Sequence, residues 1–202
     1  MEKDIGQILD FLKEIRKLHH TYRFTPQPNG GYENDAEHSW SVAVTCMLLK
    51  PRLEKEFETK LDGEKMLKMA LIHDLAEIQT GDTKTWDTDS RVNKEEKERA
   101  AIHSMTTKLP DDLRDEVLKL WEECEAKETP EAKAVKSIDR FDSVVHRTTF
   151  EIGWKGKMEE EHATVSALDA RQLPRHSFSK VLTMFYELIR NEGVSKGMFH
   201  QD

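Results

Sequence analysis

His73 and Asp74 stand side by side in the stretch Leu71 to Asp82, and Glu77 follows His73 by four residues. On a helix this His and this Glu share a face, with Asp74 beside them. Polar groups on the border of an apolar stripe are costly unless partnered, and a divalent metal is one of the few partners that suits imidazole and carboxylate together. An ordinary helix can also carry a solvated His-Asp pair, so the remaining ligands must come from elsewhere in the chain.

Two segments offer them. Asn34-Asp35-Ala36-Glu37 has the form of a capping box, with Asn34 as N-cap, and it places His38 in the first turn of the helix that follows. The helix dipole disfavours a cation in that turn, so His38 is expected to be neutral, the state that binds a metal. Further on, Ala134, Val135, Ile138, Phe141, Val145 and Thr149 form an apolar stripe with Asp142 inside it and Asp139 on its edge. Buried carboxylates need a pairing, a hydrogen bond or a metal. His146, four residues after Asp142, is the partner the spacing suggests. The set His38, His73, Asp74 and Asp139 suits Mn²⁺, Co²⁺, Ni²⁺, Fe²⁺ or Zn²⁺, and Mg²⁺ less well because it prefers all-oxygen shells.

The elements that must position these groups read as helices. Ile5, Ile8, Leu9, Leu12, Ile15 and Leu18 predict an amphipathic helix over 4–20, followed by a loop with Pro26, Pro28, Gly30 and Gly31. The His38 helix runs to a break at Pro51. Asp62 is an N-cap for a helix over 63–80, with Leu67, Leu71, Leu75 and Ile78 inward and Gly81 as its C-terminal stop. Helices over 93–109, 110–126 and 130–151 follow, and His103 has a structural role. Residues 157–170 are ambiguous and partly loop. A last helix over 175–192 turns Phe178, Val181, Leu182, Phe185, Leu188 and Ile189 inward, and the tail after Gly193 frays. No stretch reads as a strand, so the expected architecture is a single all-α domain.

Composition narrows the setting. The 202 residues are enough for one domain with a sizeable core. A net charge of −8 argues against a nucleic-acid partner, whose footprint would be basic, though not against a small phosphorylated substrate. The start Met1-Glu2-Lys3 has no apolar signal region, and the longest apolar run, Val42 to Leu49, is too short for a bilayer. Cys46 and Cys124 make neither a disulfide framework nor a zinc ribbon. A soluble, cytoplasmic protein is expected.

Glu37-His38-Ser39-Trp40, His73-Asp74-Leu75-Ala76-Glu77 and Thr80-Gly81-Asp82, with Asp139 as a distal carboxylate, resemble the HD-domain metal-dependent phosphohydrolase superfamily. Within it they are similar to the branch of bacterial 5′-deoxynucleotidases and their eukaryotic relatives. The likeness covers residues 5–150, with helices over 157–192 expected to pack on that core. It implies a helical bundle and one divalent metal held by His38, His73, Asp74 and Asp139. It also implies proton transfer assisted by Glu77 and a sugar contact at Asp82; on chemical grounds Asp74 or Glu77 can manage protons where the cleft raises its pKa. An arginine bearing on the phosphate is expected fifteen residues before the first ligand His, followed by an aromatic, and Arg23 and Phe24 hold that register. Without the resemblance Arg23 reads as a solvated surface charge. Trp86 either stacks on a base or covers core. A homodimer is implied too, although no apolar stripe in the sequence marks its interface.

The chemistry so implied is coherent. A divalent ion lowers the pKa of water and orients a phosphoryl oxygen, water attacks phosphorus in line, and Arg23 neutralises charge on the equatorial oxygens. A nucleoside 5′-monophosphate, more readily a deoxy one, would release phosphate. Two departures put sugar and base preference in doubt: Thr83-Lys84-Thr85-Trp86 lacks the proline-containing loop of the nucleotidases, and the loop at 25–33 is this chain's own. The alternatives are hydrolysis of another phosphate ester or of an alarmone-like nucleotide, which a longer basic groove would favour, and a helical protein that binds metal without turnover.

Overall fold

A computed structural model describes residues 1–83, 92–154, 160–200 and 202. In chain order its elements are α1 (Glu2–Ile15), β1 (Tyr22–Pro26), β2 (Tyr32–Asn34), α2 (Asp35–Phe57), α3 (Gly63–Ile72), α4 (Glu77–Thr80), α5 (Lys94–Thr106), α6 (Asp111–Ala126), α7 (Pro130–Thr149), α8 (Val165–His176) and α9 (Lys180–Ser195). The protein is a helical bundle in which α2, α3 and α7 pack against one another and carry the core.

The predicted helix starts hold where capping chemistry is strong. Asn34 accepts from the Ala36 and Glu37 amides while Glu37 reaches back, completing the capping box of α2. Asp62 caps α3, and Thr129 with Pro130 at the first position starts α7. Three expectations fail, each for a physical reason. Helix α2 continues through Pro51 to Phe57. Met47 and Pro51 lie on its exposed side, where water can take the carbonyl that proline leaves unpaired, and Cys46 and Leu53 on either side of it are buried in the core. The single helix over 63–80 is two helices separated by the turn His73–Ala76. Leu71 is therefore 53% exposed, and the buried face of α3 is Met66, Met69 and Ala70. The loop after residue 20 contains a two-stranded antiparallel ribbon, β1 with β2, which pairs Tyr22 with Asn34 and Pro26 with Tyr32. Of the ambiguous stretch, residues 165–170 belong to α8, which begins at Val165.

At the C-terminal end, α8 and α9 pack on α7. On α9 Leu182 and Tyr186 are buried and Val181, Phe185 and Ile189 pack against the core as expected, whereas Phe178, just before it, and Leu188 are exposed. The tail does not fray: Met198 and Phe199 are buried, Phe199 stacks on Trp154 at 4.7 Å, and the Trp154 amide donates to Met198 O.

His176 of α8 is fully buried between Phe141 and Tyr186. Ser137 Oγ donates to its Nδ1 at 2.6 Å, and its Nε2 donates to Gln172 Oε1 at 3.0 Å, so the neutral ring is satisfied. Burial holds its pKa down to about 4, and the charges of Arg175 and Arg140 add to this. An unfolded histidine titrates near 6.5, so the unfolded chain takes up this proton first as the pH falls. The contribution is intact above that value and is lost progressively down to about 4. Between pH 7 and pH 5 the wild type should lose roughly 2 kcal/mol more unfolding free energy in urea than a His176→Gln variant. Parallel losses in the two proteins would remove His176 as the cause.

Candidate metal centre

The turn between α3 and α4 sets the first half of the site. Here the backbone ladder changes from i−4 to i−3 bonding: Leu75 N donates to Ile72 O and Glu77 N to Asp74 O. The His73 carbonyl, released from the ladder, accepts from Trp121 Nε1 at 3.2 Å. His73 Nδ1 donates to Ala70 O at 2.9 Å, which leaves Nε2 bare, buried and without a hydrogen-bond partner. Fixing one ring nitrogen on a carbonyl is how an imidazole is prepared to ligate through the other.

His38 is prepared in the same way by a different partner. Its Nδ1 donates to Asp142 Oδ2 at 2.9 Å, and Ser41 Oγ holds the other oxygen of Asp142 at 2.6 Å. Asp142, singled out in the sequence as a buried carboxylate, thus pairs with His38 and not with the expected His146. His146 donates instead to Pro26 O at 3.0 Å and faces Glu33 at 3.2 Å. The Nε2 of His38 lies 3.1 Å from Asp139 Oδ1 and 3.7 Å from Asp74 Oδ2, while His73 Nε2 lies 3.8 and 3.3 Å from the same two oxygens. All four expected ligands therefore converge from α2, the α3–α4 turn and α7.

The electrostatics call for positive charge. Burial and the Arg23 charge oppose protonation of His38, yet its hydrogen bonds to Asp139 and Asp142 push it up to about 10. A proton on Nε2 answers the same carboxylates that a cation would. Burial works against the ionised form of Asp74, but His73, Arg23 and His38 hold it below the usual range. The bare Nε2 of His73, with His38 Nε2 and the Asp74 and Asp139 oxygens around it, makes a mixed nitrogen and oxygen donor set that fits a divalent transition metal.

Around this cluster stand the other expected residues. Arg23 on β1 places Nη1 2.9 Å from Asp74 and 3.8 Å from Asp35. Glu77 is buried; Lys94 Nζ donates to its Oε1 at 3.0 Å and Oε2 has no partner. Burial and the neighbouring Asp74 and Asp82 charges raise its pKa well above the carboxylate range. Asp82 is raised as well, by burial first, with Arg23 opposing. Phe24 follows Arg23 on β1, partly exposed. Trp86 lies outside the described residues.

Sequence reasoning missed three participants. Asp35 is fully buried, its two carboxylate oxygens lack hydrogen-bond partners, and burial with the Asp74 charge raises it to about 8. Its place at the first position of α2 reads as a dipole-stabilising surface acid, so nothing in the sequence marks it. Lys94 reads as part of a solvated charge run, yet it bridges Glu77 and Glu98. Lys136, three residues before Asp139, contacts it at 3.5 Å. That i, i+3 spacing was the available signal.

A family model for the HD domain matches residues 15–180. The chain belongs to the HD domain family. This HD domain protein is 32% identical over 152 residues to the 5′-deoxynucleotidase HDDC2 of Xenopus laevis, an overlap of 74% of this chain and 70% of that one. It is 33% identical over 151 residues to the Dictyostelium discoideum protein of the same name, covering 73% and 79% of the two chains. Its fold matches the crystal structure of a protein described as a predicted metal-dependent phosphohydrolase from Magnetospirillum magnetotacticum, with a TM-score of 0.81 and 32% identity over 98% of this chain and 96% of that one. No helix among the described residues of the HD domain protein is long and apolar enough to cross a membrane.

Asp142 orients His38 without itself reaching the cluster's centre. Asp142→Ala frees the ring to turn and should weaken metal affinity by about 10- to 100-fold with the fold intact. Chelator competition measures this, and an unchanged affinity would show that His38 is held by packing alone.

Proposed function

We propose that the protein is a metal-dependent 5′-nucleotidase that releases phosphate from nucleoside 5′-monophosphates, preferring the deoxy forms. The observation that carries this reading is the convergence of His38, His73, Asp74 and Asp139 on one buried point with Arg23 beside it and a bare His73 Nε2 within it. The relatives named 5′-deoxynucleotidase support the substrate class.

His38, His73, Asp74 and Asp139 would hold the ion. A divalent metal there supplies Lewis acidity toward a water and a phosphoryl oxygen. Arg23, its charge directed into the cluster, neutralises the equatorial phosphoryl oxygens as charge shifts during displacement. Glu77 holds and passes a proton at Oε2, the oxygen that Lys94 leaves uncommitted, whereas Asp74, held below the usual carboxylate range, stays ionised as a ligand. Asp82 accepts from a sugar hydroxyl, and Phe24 and Trp86 flank the base. Mn²⁺ or Co²⁺ suits the two imidazoles better than Mg²⁺.

The setting belongs to the same proposal: a cytoplasmic enzyme that works as a homodimer. Trp40 and Leu48, 67% and 66% exposed, lie with Met47 on one face of α2, an apolar patch that the sequence pattern had not set apart. Light scattering should give twice the chain mass for the wild type and the chain mass for Trp40→Glu/Leu48→Glu. A wild-type monomer would refute the dimer and leave the chemistry untouched.

The decisive assay is phosphate release from a panel of ribo- and deoxynucleoside 5′-monophosphates by metal-stripped protein with Mn²⁺, Co²⁺ or Mg²⁺ restored. Metal-dependent turnover that favours deoxy substrates is expected. Stoichiometric metal binding without turnover of any monophosphate would defeat the nucleotidase reading.

A further inference from the structure

A cavity of about 330 Å³ takes in His73, Asp74 and Glu77 together with Lys127, Lys136 and Arg140, and its lining also carries the carboxylates of Glu95, Glu98 and Glu125. Lys127, Lys136 and Arg140 also line a second cavity of about 290 Å³, together with Lys133, Arg175 and Phe178. The described lining of this second cavity has five cations and no carboxylate, in a chain whose net charge is −8. Helix α7 gives one face to it: Lys133, Lys136 and Arg140 recur at three and four residues, which places like charges as neighbours. Lys127 joins them from the left-handed residue that ends α6, with φ 55°.

Several partly buried cations elsewhere in the molecule are matched by carboxylates, while Arg147 and Arg171 donate to backbone carbonyls instead. Lys65 meets Glu123 and Glu131, Lys94 meets Glu77 and Glu98, and Arg190 meets Asp169. Lys136 meets Glu125 at 2.7 Å, which removes that carboxylate from the cavity's free charge. The side chains of Lys127 and Arg140, also partly buried, make neither hydrogen bond nor ion pair among the described residues. Burial lowers the pKa of Lys127, Glu125 opposes this, and Lys136 and Arg140 push it down further. An anion between these groups would relieve their repulsion and complete their hydrogen bonding.

We propose that Lys127, Lys136 and Arg140 form a second phosphate subsite next to the metal centre, one that takes a phosphate group other than the one being hydrolysed. It rests on the phosphohydrolase reading, because only then does the metal centre hold the first. Two sources share this chemistry: the second phosphate of a nucleoside bisphosphate, or the phosphate just released.

The first test needs no turnover. Calorimetric titration of the metal-loaded protein with inorganic phosphate at low salt should give two sites per chain for the wild type. For Lys127→Gln/Arg140→Gln it should give one site, or a second site weakened at least about tenfold. Arg140→Lys should recover part of the loss. The metal ligands and Lys136 stay in place in the double variant, so unchanged circular dichroism and metal content show that it folds. A single wild-type site, or two sites of unchanged affinity in the double variant, overturns the subsite. A wrong phosphohydrolase reading would show separately, as no metal-dependent phosphate release from any ester.

Kinetics then separate the sources. A kcat/KM for deoxyadenosine 3′,5′-bisphosphate about tenfold or more above that for the 5′-monophosphate, lost in the double variant, assigns the subsite to the substrate. An unchanged ratio with a phosphate inhibition constant raised about tenfold by the variant assigns it to the product. Absence of both effects counts against a subsite that takes part in the reaction.

Discussion

Asp139→Ala is expected to strip the metal from an otherwise folded protein and to lower phosphate release by about 10³-fold. Asp139 is the one expected ligand on α7, and its Oδ1 lies within 4.0 Å of His38, His73 and Arg23 at once. Losing it removes an anionic donor and leaves those three groups to share Asp74. Losing Lewis acidity worth several kcal/mol corresponds to the stated factor, since each 1.4 kcal/mol is about tenfold in rate. The fold should survive, because the apolar anchors of α7, Ile138 and Phe141, remain buried and Lys136 keeps Glu125. Metal content after gel filtration is the direct readout, and wild-type stoichiometry in the variant would refute the assignment of Asp139. Asp139→Asn, which keeps one oxygen donor, should retain part of the metal.

Glu77→Gln separates chemistry from metal binding. We expect kcat to fall by about 10²- to 10⁴-fold, the range for a lost proton-transfer group, with metal content and KM close to wild type. The amide fills the same space, and Lys94 retains its ion pair with Glu98 at 3.0 Å. The variant therefore removes the ability to exchange a proton at a buried oxygen and little else. Joint loss of metal and helicity would instead make Glu77 a structural support of the α3–α4 turn.

What could be read from the chain alone followed the range of the interactions involved. The cap at Asn34 and the stripe of α7 are local, and both were legible. The position of His38 and the burial of Asp142 came out of them directly. Their pairing joins residues 104 apart, and helical spacing can only offer partners within a turn or two, hence the misassigned His146. The break at His73–Ala76 was invisible for a related reason. No Gly or Pro there stops a helix, and the interruption is held by a tertiary bond from Trp121 to the released carbonyl. Arg23 is the sharpest case. Its neighbours in sequence say surface, and only the ribbon β1–β2 turns it toward Asp74. Pro51 and Phe178 failed in the opposite sense, because local rules were applied where water, in one case, and an open cavity, in the other, decided the outcome.

The ribbon that carries Arg23 is fastened to α7 by its rungs, with Arg147 Nη2 donating to Phe24 O at 3.1 Å and His146 to Pro26 O at 3.0 Å. Its tip is closed on itself, through Gln27 N to Gly31 O and Gly30 N to Gln27 O, and reaches the body by the Gln27 side chain to Glu37. For an engineer this divides one short stretch into a chassis and a cassette. Residues 28–31 should accept longer or differently charged turns, while Arg23 keeps its register against α7.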